Sequence, residues 1–102
     1  MSASRKIGIM ISAPPAHENF TRGVRLAEAA LGEGCAVYLY CIDAAVEGVA
    51  ELRPLKENGA KLFACAYSMQ ERGIEEPGCA TLAGLTILSD LITSTDRFVS
   101  LN

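Results

Sequence analysis

The sequence has a single histidine, His17, and none of its four cysteines (Cys35, Cys41, Cys65, Cys79) stands in C-x-x-C spacing. That leaves too few ligands at the right separations for a usual zinc knuckle, so a structural zinc site is not expected. Among nine lysines and arginines only Arg5-Lys6 are adjacent. Without a basic stripe to follow a phosphate backbone, nucleic acid is not an expected partner. No apolar run approaches the ~20 residues of a membrane span, so no membrane role is expected. There is no G-x-x-x-x-G-K-[ST], no G-x-G-x-x-G after the first apolar stretch and no G-x-S-x-G elbow. The common nucleotide-binding and serine-hydrolase sites are therefore missing, and no cofactor is called for.

What is present points to an ordinary globular chain. The 102 residues fit one domain, spanning 1–102, with enough chain to bury a core. Half the residues are hydrophobic, which argues against disorder, and the net charge is −3. A core of this size stands without a disulfide framework, so the cysteines read as free thiols of a reducing compartment, the cytoplasm. Apolar content this high in a small chain also leaves surface for an oligomer. Arg5-Lys6 before Ile7–Ile11 outlines a signal peptide, but the apolar run is shorter than the roughly 7–15 residues of an h-region. It reads instead as a first strand.

Residues 1–4 read as a loose leader and Lys6–Ser12 as a strand covered on both faces. Pro14-Pro15 keeps the following loop irregular. Asn19 is the expected N-cap of a helix running to about Leu31, with Phe20, Val24, Ala27 and Leu31 on one face and Gly32 and Gly34 as the stop. Cys35–Ile42 is a second apolar strand. Asp43 is expected to cap a short helical stretch through Val49. Pro54 leaves 51–58 as a kinked helix or one starting near Arg53, with Gly59 closing it. Strand three follows at Lys61–Ala64, then a short helix over Ala66–Arg72 stopped by Gly73. Ala80–Ala83, a helix from Leu85 to about Thr93, and Arg97–Leu101 complete the chain. This alternation predicts an α/β fold in three layers, α/β/α, around a mainly parallel five-stranded sheet.

In such sheets ligands bind beyond the carboxyl ends of the strands. Cys41 and Cys65 end their strands there, whereas Cys35 and Cys79 belong to the far edge. Cys65 also opens a helix, where free backbone N–H groups and the helix dipole favour an anion. A thiol so placed has a raised thiolate fraction, and Cys65 is the candidate reactive group. His17 lies in a loop on the same edge and is the only histidine that could pair with it. Arg72 reads from position alone as a cap of its helix C-terminus. Tyr38 and Tyr40 read as packing residues.

The segment Cys65-Ala66-Tyr67-Ser68-Met69-Gln70-Glu71-Arg72-Gly73 resembles the active-cysteine segment of the DsrE/TusD family of sulfur-relay proteins. Those carry a cysteine after a strand, six residues, then Arg-Gly. Thr81-Leu82-Ala83-Gly84-Leu85 and Asp96-Arg97-Phe98-Val99-Ser100-Leu101 are similar to the family's closing segments, and Ala13-Pro14-Pro15 sits where it has a Pro-containing loop. The resemblance implies a DsrE-like domain in a trimer or hexamer, from one kind of subunit or several related ones. It also implies a sulfurtransferase role: Cys65 accepts sulfane sulfur as a persulfide and passes it from a donor protein to an acceptor protein. Glu71 departs from the family's basic residue before Arg-Gly, and the segment from Gly73 to Cys79 is shorter than in longer members. Two rival readings stand beside this one. One is a non-catalytic subunit or small-ligand-binding module; the other is a redox thiol protein in which Cys41 resolves Cys65.

Overall fold

The computed structural model describes residues 5–102; the expected leader lies outside them. Five strands form one sheet: β1 (Lys6–Ile11), β2 (Ala36–Cys41), β3 (Lys61–Cys65), β4 (Thr81–Ala83) and β5 (Arg97–Leu101). Every neighbouring pair is parallel, and the spatial order is β4-β3-β2-β1-β5. The connections are α1 (Glu18–Gly32), a 3-10 helix (Asp43–Leu52) running directly into α2 (Arg53–Glu57), α3 (Ala66–Glu71) and α4 (Leu85–Ser94). The alternation in the sequence therefore corresponds to an α/β/α sandwich, parallel throughout rather than mainly so.

Strand order decides which helix covers which face. From β1 to β4 the chain steps in one direction across the sheet. Right-handed crossovers then put α1, the 3-10/α2 unit and α3 on one face. The last crossover runs back over the whole sheet to β5, so α4 lands on the other. Side-chain packing agrees. Ile9, Ile11, Val37, Leu39, Cys41, Leu62 and Ala64 form one core with Phe20 and Ala27 of α1, Val46 and Val49 of the 3-10 helix, and Met69 of α3. The opposite cluster is small: Tyr40, Cys65, Ala83 and Leu91 of α4, with Met10, Tyr38, Phe63 and Phe98 half-buried at its border. At roughly 1.5–3 kcal/mol for each fully buried large aliphatic side chain, the first face carries most of the burial energy.

Three local expectations change. The cap of α1 is His17, whose Nδ1 accepts the Asn19 N–H at 3.0 Å. Asp43 caps nothing: Ile42 precedes the 3-10 helix without a side-chain bond, and Asp43 itself sits at φ 54. The stretch after it is a ten-residue 3-10 helix rather than a short helix ending at Val49. Its buried Gly48 lies so close to α1 that a Cβ there would meet Phe20 and Pro15 at 2.6 Å. Pro54 stands in the first turn of α2, where its missing N–H costs nothing, so α2 starts near Arg53 instead of kinking.

Candidate functional site

One pair of neighbouring strands, β3 and β4, sends the chain to opposite faces of the sheet. The chain leaves β3 for α3 on the first face and leaves β4 for α4 on the other. Neighbouring strands whose exits diverge open a cleft at their carboxyl ends, where ligands bind in open α/β sheets. The last residue of β3 is Cys65, and its register partner is Ala83, the last residue of β4. Cys65 is 5% exposed, so its reactivity depends on what surrounds it.

Burial acts first and raises the thiol's pKa. It is outweighed by the Ser68 hydroxyl and N–H, the Tyr40 hydroxyl and the Tyr67 N–H, which together hold Cys65 below the ordinary cysteine value. The geometry explains why Ser68 serves as a donor. Its Oγ accepts the Asp43 N–H at 3.0 Å, which leaves the Ser68 proton free for the sulfur. Ser68 is itself buried, 2% exposed. The helix that Cys65 caps has six residues, so local donors rather than a long dipole set the field.

The other expected site residues divide. Ala66 and Tyr67 open α3 and are exposed; Tyr67 is 68% exposed, with its hydroxyl donating to Glu71 at 3.2 Å. Gly73, at φ 63, lets the chain turn out of α3. Arg72 is the C-cap residue, paired with Glu47 at 3.3 Å and Glu71 at 3.8 Å. It follows Cys65 by seven residues, about 10 Å along a helix axis, and is not the cation at the thiol. His17 caps α1, and two strand spacings of about 4.8 Å separate β1 from β3; a Cys65–His17 pair does not form.

Cys41 also leaves the site. Its register partner is Ala64, so it points to the face opposite Cys65. A disulfide needs Cβ atoms about 3.5–4.5 Å apart, and the sheet stands between these two. Burial, with Cys79 as a smaller contributor, pushes the Cys41 thiol up to about 12. The resolving role considered for Cys41 therefore has no geometric basis. Cys35 lies at the amino edge of β2, half-buried, and Cys79 is buried with its Sγ 3.6 Å from the Val49 carbonyl.

Two residues near Cys65 have other roles than the sequence predicts. Tyr40, expected as packing, is fully buried, and its hydroxyl bonds the Ala83 and Gly84 carbonyls at 3.2 Å each. Asp43 orients Ser68. A tyrosine one residue before a strand's end, facing away from Cys41, is the signal that identifies Tyr40: a buried phenol needs a partner. Hollows of about 280 Å³ beside Lys56, Lys61 and Thr81, about 400 Å³ beside Glu28 and Leu55, and about 210 Å³ beside Phe20 and Glu51 are not lined by Cys65. Among the described residues no group of three His, Cys, Asp or Glu side chains is placed to hold a metal. No helix there is long and apolar enough to cross a membrane.

Residues 5–101 match the model of the DsrE/DsrF-like family. The fold is similar to the crystal structure of the ychN protein from E. coli, with a TM-score of 0.80, 19% identity, and 96% of this chain and 99% of that one covered. It is also similar to BT1422 from Bacteroides thetaiotaomicron, described as a conserved protein of unknown function, with a TM-score of 0.75, 15% identity and 93% of each chain covered. No curated protein matches the sequence.

Proposed function

The chain belongs to the DsrE/DsrF-like family, and on that premise we propose that it is a sulfur carrier whose working group is the Cys65 thiolate. Family membership supports a role of the sulfur-relay type. The observation that supports the finer reading is the place of Cys65, a buried cysteine at the β3–α3 junction whose thiol is lowered despite burial, with the Ser68 and Tyr40 hydroxyls as contributors.

The chemistry conserves electrons overall. The Cys65 thiolate attacks the outer sulfur of a donor's persulfide; the donor's S–S bond breaks and its thiolate leaves. Cys65 now carries the outer sulfur as a persulfide, a reversible state of cysteine. An acceptor thiolate attacks that outer sulfur, the new S–S bond forms on the acceptor, and Cys65 leaves as thiolate. The same donors that stabilise the thiolate at the start stabilise it as leaving group at the end. Ser68, Ala66 and Gly73 shape this site, and Tyr67 borders its mouth.

Direction has to come from partners, because the site holds no group that distinguishes donor from acceptor. Donor and acceptor proteins dock at the rim, where Tyr67 and Leu85 are exposed apolar side chains. The thinly covered sheet face, with Tyr38, Phe63 and Phe98 half-buried and Ile92 exposed, supports assembly with further copies or related subunits into a trimer or hexamer. Four free cysteines fit a cytoplasmic setting.

The test is intact mass under non-reducing conditions after exposure to a sulfane-sulfur donor. Wild type gains a reducible increment of about 32 Da, one sulfur atom, and Cys65→Ser does not. Equal loading of the variant would remove Cys65 as the carrier and leave a non-catalytic subunit as the better reading.

A further inference from the structure

The Tyr40 hydroxyl faces two kinds of acceptor. In the structure it bonds the carbonyls of Ala83 and Gly84, each at a long 3.2 Å. The Cys65 sulfur lies in the same buried cluster, and Ala83, whose carbonyl the hydroxyl meets, is the register partner of Cys65. A phenol has one proton, so it cannot fully satisfy both sides. Charge decides between them: an anionic acceptor draws a hydrogen bond roughly twice as strong as a neutral one. A neutral sulfur leaves the proton on the carbonyls; a thiolate pulls it across.

We infer that Tyr40 is a proton-holding switch, donating to the β4–α4 junction when Cys65 is uncharged and to the Cys65 sulfur when it is a thiolate. This rests on the reading of Cys65 as the working thiol. Tyr40 acts only as a donor. Burial, reinforced by the neighbouring Cys65, pushes its own ionisation well above the usual tyrosine range, so it keeps its proton wherever the thiol works.

The arrangement is built rather than incidental. Tyr40 is fully buried, and its ring is fixed in the sheet opposite Phe63. The two carbonyls it releases belong to the last residue of β4 and to Gly84, the N-cap residue of α4. Leu85, the next residue, is 65% exposed. The charge on the sulfur is thereby read out at an apolar residue on the rim, through one rotating hydroxyl. A donor meets the thiolate form of that rim, and an acceptor meets the persulfidated form, in which the sulfur of Cys65 itself carries no charge.

Two measurements test this. In wild type, carbonyl carbon resonances of Ala83 and Gly84 are followed by NMR as Cys65 is titrated. Both are expected to move with the midpoint of Cys65, and to lose that dependence in Tyr40→Phe, which keeps the ring and removes the proton. In parallel, iodoacetamide alkylation of the Cys65 peptide is followed against pH. The phenylalanine variant is expected to react roughly three- to tenfold more slowly at neutral pH, with an unchanged plateau once the thiol is fully ionised, as loss of a donor to the thiolate requires. Carbonyl resonances in wild type that ignore the Cys65 titration overturn the switch, whether or not the variant folds well. So does an unmoved alkylation midpoint in a folded Tyr40→Phe. Persulfide loading is scored separately: a working switch on a cysteine that takes up no sulfur sinks the carrier reading and leaves this one standing.

Discussion

Cys41 and Cys65 occupy nearly equivalent places and behave oppositely. Each is the last residue of a strand, the strands are neighbours, and both side chains are almost wholly buried, at 0% and 5% exposure. Cys41 faces the sealed side, among aliphatic groups, and its thiol is pushed up to about 12 by burial. Cys65 faces the thinly covered side, and its thiol is lowered despite burial by the hydroxyls of Ser68 and Tyr40 and the N–H groups of Ser68 and Tyr67. Depth therefore does not determine a cysteine's chemistry here. The polar groups in the first contact layer do, and the pleat of the sheet distributes them by pointing alternate residues to opposite faces.

The largest expected effect is kinetic. A thiol titrating near 12 is ionised in about one molecule in 10⁵ at pH 7. Iodoacetamide at neutral pH should label the Cys65 peptide of the native protein and leave the Cys41 peptide until denaturant is added. Equal labelling of the two would erase the contrast.

Next comes stability against pH. Folded Cys41 keeps its proton to about 12, whereas the unfolded chain releases it near the reference value of 9.0. Between these values the folded state binds more protons, so its contribution to stability falls as pH rises, by up to about 1.4 kcal/mol per pH unit. Cys65 has the opposite sign. Its folded pKa is depressed, so its contribution is present above the unfolded value and is lost as pH falls through the folded one. Urea melts of wild type and Cys41→Ala at about pH 9 and above should show a flatter pH dependence in the variant, whatever the cost of its cavity. Parallel slopes would mean that Cys41 does not hold its proton.

Removing a single donor sharpens the comparison from the other side. Ser68→Ala deletes the hydroxyl that accepts from Asp43 and helps to lower the Cys65 thiol. The Cys65 alkylation midpoint should rise, with a fewfold slower reaction at neutral pH and no change for Cys41, in line with the typical worth of about 1.5–3 kcal/mol for a bond to a charged group as an upper bound. Smallest is Arg72→Gln. It breaks a partly exposed pair with Glu47, worth at most about 1 kcal/mol, and should leave the thiol's pH profile where it is. A shifted profile would return Arg72 to the site.

Much of this was readable beforehand, and the limits have physical reasons. Apolar runs separated by helical periodicity identify parallel strands with little ambiguity, because a strand buried on both faces tolerates few polar residues. Cys65 stands out because a strand-to-helix junction is a local pattern. Tyr40 does not, since its role depends on lying beside β3 and β4, and strand register is not written in any short window. Cys41 was considered for the same edge correctly, but its face follows from its pairing with Ala64. His17 and Asn19 are both acceptable first-turn residues, and only the path of the Pro14-Pro15 loop selects between them. Asp43 was expected as a cap by residue type. Its positive φ, a conformation in which Asp is more tolerated than most residues, turns its N–H onto Ser68 instead.

The return crossing from β4 to β5 has a consequence for the order of assembly. Strands β1 to β3 and their helices can pack as the chain emerges, since each crossover reaches only the adjacent strand. The α4–β5 segment must travel back to β1, closing contacts such as Lys6 N–H to Asp96 Oδ2 across 90 residues of sequence. Contacts at that separation form late, because the loop entropy must be overcome before they stabilise anything. Cys65 and Ser68 are in place before α4 arrives to cover their side of the sheet. In a newly made chain the face that holds Cys65 is thus the final surface to be enclosed.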